Sequence, residues 1–126
     1  MQITEHMAVE IVPADGVLNV ELIAKGKLTH QDYMVMVPML EQAINAMPNV
    51  KVNMLLNALE FEGWELEAAW DDFKFGMEYK DTFLKIAIVG TATWQEYLAK
   101  MGNWFMHGEV KFFYNLEEAK EWITNS

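Results

Sequence analysis

The chain has 126 residues, of which 52% are hydrophobic, and its formal net charge is −10. All nine basic residues are lysines, so no arginine offers bidentate contacts to phosphates or base edges, and the acidic balance opposes phosphate neutralisation. We therefore expect no nucleic-acid partner. There is no cysteine, and the only serine is Ser126, which excludes disulfides, thiolate chemistry and a serine nucleophile within the fold.

The length and the hydropathy pattern predict one domain over residues 1–126, because the chain is about the size of one ordinary domain. No segment approaches the roughly 20 consecutive apolar residues that a membrane-spanning helix needs. The first ten residues carry Glu5 and Glu10 and no basic cluster before an apolar run, so we expect no secretory signal. A cytoplasmic location is the resulting expectation.

The first elements are predicted to be a β-hairpin and a helix. Alternating apolar residues from Met7 and from Leu18 flank a turn at residues 13–16, and Gly26 is expected to end the second strand. Thr29 followed by Asp32 is typical of a helix start. The helix runs to about residue 47, with a bend expected at Pro38 and with one apolar face formed by Tyr33, Met36, Val37, Leu40, Ile44 and Met47.

The rest of the chain alternates strands and helices. A third strand over residues 50–56 is predicted to end at Asn57, with a loop over residues 58–63. A second helix carries Leu66, Ala69, Trp70, Phe73 and Met77 at the spacing of one helical face. The acids around it, which we expect to form a solvated surface rather than an acid–base pair, are Glu60, Glu62, Glu65, Glu67, Asp71 and Asp72.

A nearly continuous apolar strand over residues 83–89 follows, as is typical of a parallel sheet covered on both faces. Thr93 and Glu96 predict a capping box for a third helix, residues 109–114 predict the last strand, and Asn115 with Glu118 predicts the cap of a fourth helix. The pattern predicts an α/β fold: a mostly parallel sheet of about five strands with an N-terminal β-hairpin and four helices.

Several short motifs, distributed over most of the chain, resemble those of the SpoIIAA-like family of small bacterial proteins, whose fold is that of STAS domains. They are Asp32-Tyr33 with Pro38, residues 62–64 (EGW), residues 70–76 (WDDFKFG), residues 86–90 (IAIVG) and residues 117–122 (EEAKEW). The resemblance implies a binding or regulatory domain rather than an enzyme. The wider superfamily includes the CRAL-TRIO lipid-transfer domains, which implies a scaffold able to hold an apolar ligand.

The anti-sigma factor antagonists share the fold that the resemblance implies, but the sequence differs from theirs. Those domains carry an Asp at the end of the third strand and a phosphorylatable Ser at the next helix start. Here Asn57 stands near the Asp position and residues 62–64 occupy the Ser region. The resemblance therefore implies a protein-interaction domain that works without phosphorylation. The partner-loop candidates are Asn57, Glu60, Glu62 and Gly63.

Aromatic and methionine residues are abundant and concentrate in the second half of the chain. Packing in the core is one explanation for them, and a dimer interface or an apolar pocket with adaptable methionine walls are the others. The run between Gly102 and Gly108 places three large apolar residues in an expected loop. The candidates for ligand or membrane contact are Trp64, Trp70, Phe73, Trp94, Tyr97, Met101, Trp104, Phe105 and Met106.

The sequence offers no catalytic or metal-binding pattern. His6, His30 and His107 form no spaced pair typical of metal ligands, and no glycine-rich phosphate loop is present. We therefore predict a non-enzymatic module without cofactor or metal. It binds an apolar small molecule or a lipid, with peripheral contact to the inner membrane as an accompanying hypothesis. The alternative is a phosphorylation-independent protein-interaction domain, and a homodimer is expected in either case.

Overall fold

The computed structural model describes residues 1–91 and 109–124. These residues form five strands and three helices, in the order β1 Met7–Ala14, β2 Val17–Leu28, α1 His30–Asn45, β3 Lys51–Trp64, α2 Leu66–Glu78, β4 Phe83–Val89, β5 Glu109–Phe113 and α3 Leu116–Thr124. The helix predicted from Thr93 and Glu96 lies outside the described residues. The described part thus shows a five-stranded α/β fold with an N-terminal hairpin and three of the four expected helices.

The five strands form one sheet in chain order, from β1 to β5. β1 and β2 pair antiparallel, and each later neighbour pair is parallel. A two-residue turn joins the hairpin, because Ala14 pairs directly with Val17. Asp15 and Gly16 have φ values of 50° and 80°, and such a turn needs positive φ at both central positions.

Two strand ends predicted from the sequence are wrong. β2 continues past Gly26 to Leu28, and β3 continues through the predicted loop to Trp64. The two extensions pair with each other, and the register shifts around Gly26 show that the extra length is accommodated by irregular pairing. Gly26 and Gly63 have φ values of 67° and 119°, so these glycines permit bulges inside strands instead of ending them.

Each face of the sheet has its own apolar cluster. On one face, alternate residues of the first three strands pack against α1, with Met7, Leu18, Val20 and Val52 fully or almost fully buried. On the other face, Leu55, Ala87 and Val89 pack with Phe113 and with α3, which contributes Ala119 and Ile123. Asn115 caps α3 as predicted, because its Oδ1 accepts the Glu118 amide hydrogen at 3.1 Å.

The start of α1 is fixed by a capping box. The Thr29 hydroxyl accepts the Asp32 amide hydrogen, and the Asp32 carboxylate accepts the Thr29 amide hydrogen at 2.8 Å. His6 Nδ1 lies 2.9 Å from the same carboxylate, so the segment before β1 is attached to the helix start. Burial of Asp32 acts to raise its pKa, but the hydrogen bonds from Thr29, Thr4 and His6 outweigh it, and the net pKa is lowered.

The predicted apolar face of α2 points away from the core. Leu66 and Trp70 are 89% and 58% exposed, and Met77 is also exposed. The inward residues are Ala68 and Phe75, both buried. Helical periodicity identifies faces by spacing and does not say which one meets the sheet, and in α2 the larger apolar stripe faces outward. No helix in residues 1–91 or 109–124 is long and apolar enough to cross a membrane.

Candidate functional site

An apolar cavity of about 110 Å³ lies between α1, α2 and one face of the sheet. The sheet contributes side chains from β2, β3 and β4, including Leu22, Met54 and Ile88. The two helices contribute Met36, Leu40, Tyr33, Asp72, Phe75 and Gly76, and the end of β3 contributes Phe61 and Trp64. Aliphatic, aromatic and methionine side chains therefore form nearly the whole wall.

The cavity results from the hydrogen bonds that attach α2 to α1. Three hydrogen-bonded pairs link it to α1: His30 with Asp71, Tyr33 with Asp72, and Glu41 with Tyr79. The pairs follow the same order along both helices, so the two helices run in the same direction. Because the polar pairs attach α2 to its neighbouring helix, its inward face leaves space above the sheet, and that space is the cavity.

One corner of the cavity is polar and is built from three side chains. The Tyr33 hydroxyl donates to Asp72 Oδ1 at 2.9 Å and accepts the indole N–H of Trp64 at 2.8 Å. Trp64 also packs edge-on against Phe61, with ring centroids 4.9 Å apart. The chain of bonds runs from β3 through α1 to α2, so this corner joins three elements around one carboxylate.

The ionisation of this corner reflects its apolar surroundings. Desolvation raises the pKa of Asp72 to about 6, and the hydrogen bond from Tyr33 opposes this only in part. Desolvation also raises the pKa of Tyr33, and the negative charge of Asp72 raises it further. Tyr33 therefore stays a neutral donor, and Asp72 carries a charge at neutral pH in a site that disfavours charge.

A second polar pair lies beside this corner. His30 is hydrogen-bonded to Asp71, and its Nε2 lies 3.6 Å from a Glu67 oxygen. The hydrogen bond to Asp71 raises the pKa of His30, and the charges of Asp71 and Glu67 add to the effect. Because the Asp71 side chain is only 12% exposed, the pair is an anchor of α2 on α1. His30 lies at the surface, with 40% of its side chain exposed, and pairs with Asp71 from there.

Among the candidates for ligand contact, Trp64 lines the cavity. Trp70 and Phe73 stack on each other on the outer side of α2, with centroids 5.6 Å apart, and neither is part of the cavity wall. The remaining candidates, Trp94, Tyr97, Met101, Trp104, Phe105 and Met106, lie outside the described residues.

The partner-loop candidates lie on β3 instead of in a loop. Asn57 pairs with Ile23 of β2, Gly63 pairs with Lys27, and Glu60 forms an exposed ion pair with Lys25 at 3.8 Å. Glu62 is exposed. Glu60 and Glu62 are exposed, and they belong to the irregularly paired extension of β3 and not to a loop.

Sequence reasoning missed the residue at the centre of the site. Asp72 was assigned to a solvated surface, and the structure places it in the cavity wall. The spacing of Asp72 gave a signal that could have been used. Ala68, Asp72, Phe75 and Tyr79 lie at the spacing of one helical face, as the residues of the larger apolar stripe also do. Within residues 1–91 and 109–124, no cluster of three or more carboxylate or histidine side chains is arranged to hold a metal ion.

A second, more open groove of about 250 Å³ lies on the opposite face of the sheet, beside α3. Its wall includes Glu10 and Glu21, which face each other across β1 and β2, and Asn53. The Asn53 Oδ1 atom is buried and has no hydrogen-bond partner among the described residues. The groove is wide and mixed in character, so the less open, apolar cavity is the better candidate for a specific ligand.

Comparison with known proteins identifies the family. The SpoIIAA-like family model matches residues 19–124. A crystal structure of an uncharacterised DUF3478 protein with a SpoIIAA-like fold, from Shewanella loihica PV-4, is 35% identical. The match covers 98% of each chain and has a TM-score of 0.77. The chain therefore belongs to the SpoIIAA-like family.

A more distant structural similarity is to an anti-sigma factor antagonist from Mycobacterium paratuberculosis. The two chains are 19% identical, with 94% of this chain and 95% of the other covered and a TM-score of 0.46. At this level the similarity supports no inference about a partner. No curated protein is similar enough to the chain to count as a match.

Proposed function

We propose that this protein is a binding module for a small, largely apolar molecule, held in the cavity between α1, α2 and the sheet. One observation carries the proposal: among the described residues, the apolar cavity is lined by one carboxylate, that of Asp72, which is hydrogen-bonded to Tyr33, and Trp64 donates to Tyr33 in turn. A carboxylate in such surroundings costs stability, and such costs are typically found where a binding site needs them.

The volume of the cavity limits the size of the ligand. A volume of about 110 Å³ is of the same order as the roughly 150 Å³ of an engineered cavity that binds benzene. A single ring or a short branched chain fits such a space, so we favour a small molecule over a whole lipid. Met36 and Met54 in the wall give it some adaptability, because methionine side chains are unbranched and flexible.

The direct test is a titration of ¹⁵N-labelled protein with toluene, followed by NMR. We expect saturable shifts at the Trp64 indole N–H and at the Gly76 amide. Gly76 lines the cavity, and a Cβ atom placed there meets no atom within 4 Å. Gly76→Leu should therefore fold and fill part of the space, and weaken toluene binding at least tenfold, while Gly76→Ala serves as the matched control.

The outcome that contradicts the proposal is equally clear. If wild-type protein shows no saturable shifts at cavity residues, or if Gly76→Leu binds toluene as well as Gly76→Ala does, the cavity is not a ligand site. Native mass spectrometry of protein purified gently from its own cells complements this test. A reproducible adduct that is lost on unfolding would give the mass of the natural ligand.

A second candidate function is protein interaction without phosphorylation. The observation that favours it is the outward face of α2, where Leu66, Trp70 and Met77 are exposed. Large apolar side chains of this kind are enriched in protein interfaces. We take a second copy of this chain as the partner. Analytical ultracentrifugation should then show a dimer that Trp70→Glu dissociates, and a monomeric wild type contradicts this candidate.

Peripheral membrane contact through Trp104, Phe105 and Met106 remains a prediction from the sequence. Its test is co-sedimentation with neutral phospholipid vesicles, because the net charge of −10 opposes binding to an anionic surface. Wild-type protein should sediment with the vesicles, and a variant with polar residues at Trp104 and Phe105 should stay in solution. Equal sedimentation of both proteins contradicts the prediction.

A further inference from the structure

The polar corner of the cavity carries information about the ligand's head group. Asp72 has two carboxylate oxygens, and the structure shows one hydrogen bond to them from the described residues, from Tyr33 to Oδ1. Tyr33 has one hydroxyl hydrogen, which this bond uses. Asp72 Oδ2 therefore keeps its capacity to accept a hydrogen bond from a molecule inside the cavity.

Among the residues that the structure describes, no positively charged side chain pairs with Asp72. From α1 it faces Tyr33, and from β3 the closest polar group of the corner is the Trp64 indole, whose N–H is directed to Tyr33. On α2 itself, the neighbouring Asp71 is hydrogen-bonded to His30. Among the described residues that line the cavity, Asp72 is the one ionisable acid, and neither lysine nor histidine is present. Within residues 1–91 and 109–124, the cavity thus has a negative charge without a protein counter-charge.

Aromatic rings line the same cavity. Phe61, Trp64, Tyr33 and Phe75 all line the cavity. The faces of aromatic rings attract cations through their quadrupole, and aromatic cages with a carboxylate are a recurrent way of binding ammonium groups. An anionic ligand would be repelled, because it would bring a second negative charge next to Asp72 in a low-dielectric space.

We infer that the ligand of this cavity is a small amine, whose apolar body fills the space and whose ammonium group pairs with Asp72 beside the aromatic rings. The inference rests on the proposed function, because it names the chemical class of ligand for that same site. The raised pKa of Asp72 agrees with it, since a bound ammonium group would relieve the cost of the buried charge. No bond is made or broken, and the role of the site is recognition.

Three probes with the same ring and different head groups test the inference: benzylamine, benzyl alcohol and benzoate. Their dissociation constants are measured by NMR titration at pH 8, with the Trp64 indole N–H and the Gly76 amide as reporters. We expect benzylamine to bind at least tenfold more tightly than benzyl alcohol, and benzoate to show no saturable binding. Tenfold corresponds to about 1.4 kcal/mol, which is within the range of a partly desolvated charge pair with a cation–π contribution.

Asp72→Asn removes the charge and keeps an acceptor for Tyr33. We expect this variant to reduce the ratio between the affinities for benzylamine and benzyl alcohol to below about twofold. Glu78→Gln is the matched control, because it removes one carboxylate from the exposed end of the same helix and should keep the ratio of the wild type. If Asp72→Asn does not fold, the wild-type ratio at lower pH replaces it. The ratio should fall between pH 8 and pH 5 as Asp72 becomes protonated.

The outcomes separate the two proposals. If benzyl alcohol binds and benzylamine binds no better, or if benzoate binds most tightly, the amine inference is overturned and the cavity remains a ligand site. If none of the three probes binds, both proposals are overturned. If the benzylamine preference survives in Asp72→Asn, the ammonium group is recognised elsewhere, which also overturns the inference.

Discussion

Replacing Asp72 by asparagine should stabilise the protein, and the gain should grow as the pH rises. The pKa of this carboxyl is raised from an ordinary value of 3.8 to about 6, because desolvation disfavours the charged form. The folded protein therefore binds this proton more tightly than the unfolded chain does. Stability falls as the pH rises from about 4 to about 6, and it stays constant above that range.

The pKa values of Asp72 in the unfolded and folded states determine how much free energy its ionised carboxylate costs the folded protein. At about 1.4 kcal/mol per pH unit, the ionised carboxylate costs the folded state about 3 kcal/mol at pH 8 and about 1.6 kcal/mol at pH 5. Water that enters the cavity reduces both figures, so we expect about half of each. Because asparagine is neutral at both pH values and still accepts the Tyr33 hydrogen bond, the advantage of Asp72→Asn should increase by about 0.7 kcal/mol from pH 5 to pH 8.

Urea unfolding followed by far-ultraviolet circular dichroism measures this change. The free energy of unfolding falls by about 2 kcal/mol per molar urea. The difference in urea midpoint between Asp72→Asn and the wild type should therefore be about 0.3 to 0.4 M larger at pH 8 than at pH 5. Glu78→Gln is the control and should show a constant difference. An advantage of Asp72→Asn that is the same at pH 5 and pH 8 would refute the reasoning, because Asp72 would then not be desolvated in the folded state.

Three further predictions concern the frame around the site. Thr29→Ala should lower the free energy of unfolding by about 1 kcal/mol in urea, because it removes the hydroxyl that caps α1, and an unchanged midpoint would contradict the capping box. An NMR titration should give His30 a pKa above its ordinary 6.5, and Asp71→Asn should return this pKa towards 6.5. The stabilisation from the pair should be complete below pH 6.5 and lost as the pH rises through the folded-state pKa. Equal His30 pKa values in both proteins would contradict the attachment of α2 to α1 by this pair. Gly76→Ala should raise the free energy of unfolding by about 0.5 to 1 kcal/mol, because alanine is the better helix former and meets no atom within 4 Å, and a destabilised variant would show that the space at Gly76 is not open.

Much of the fold could be predicted from the sequence because local chemistry determines it. The hairpin turn follows from Asp15 and Gly16, and the start of α1 follows from Thr29 and Asp32. The continuous apolar run of Phe83–Val89 identified a strand covered on both faces. These features depend on a few neighbouring residues, so they are visible without knowledge of the rest of the molecule.

The errors arose where distant parts of the chain decide the outcome. Gly26 was taken as a strand end and Gly63 as part of a loop, but β2 and β3 pair through both positions, and only that long-range pairing makes them bulges. The orientation of α2 was not predicted, because polar pairs from His30, Tyr33 and Glu41 determine which of its faces turns inward. Residues that are 38 to 41 positions apart form those pairs, and helical periodicity alone does not contain them.

The candidate site was predictable only in outline. The abundance of aromatic and methionine residues left core packing, an interface and an apolar pocket as alternatives, and Trp64, which lines the cavity, was among the ligand candidates. Asp72 was assigned with the other acids of α2 to a solvated surface, although its side chain lines the cavity. Its partner Tyr33 was predicted as an ordinary core residue of α1. Its hydroxyl became meaningful only when the structure placed it 2.9 Å from the Asp72 carboxylate.

The central claim is that the cavity between α1, α2 and the sheet holds a small ligand with an apolar body. A crystal of the protein soaked with 4-bromobenzyl alcohol tests it most directly, because anomalous scattering locates the bromine atom. We expect a bromine peak among Met36, Met54 and Phe75, with the alcohol oxygen directed towards Asp72. A cavity without a bromine peak, in a crystal where the compound occupies other sites, would contradict the claim.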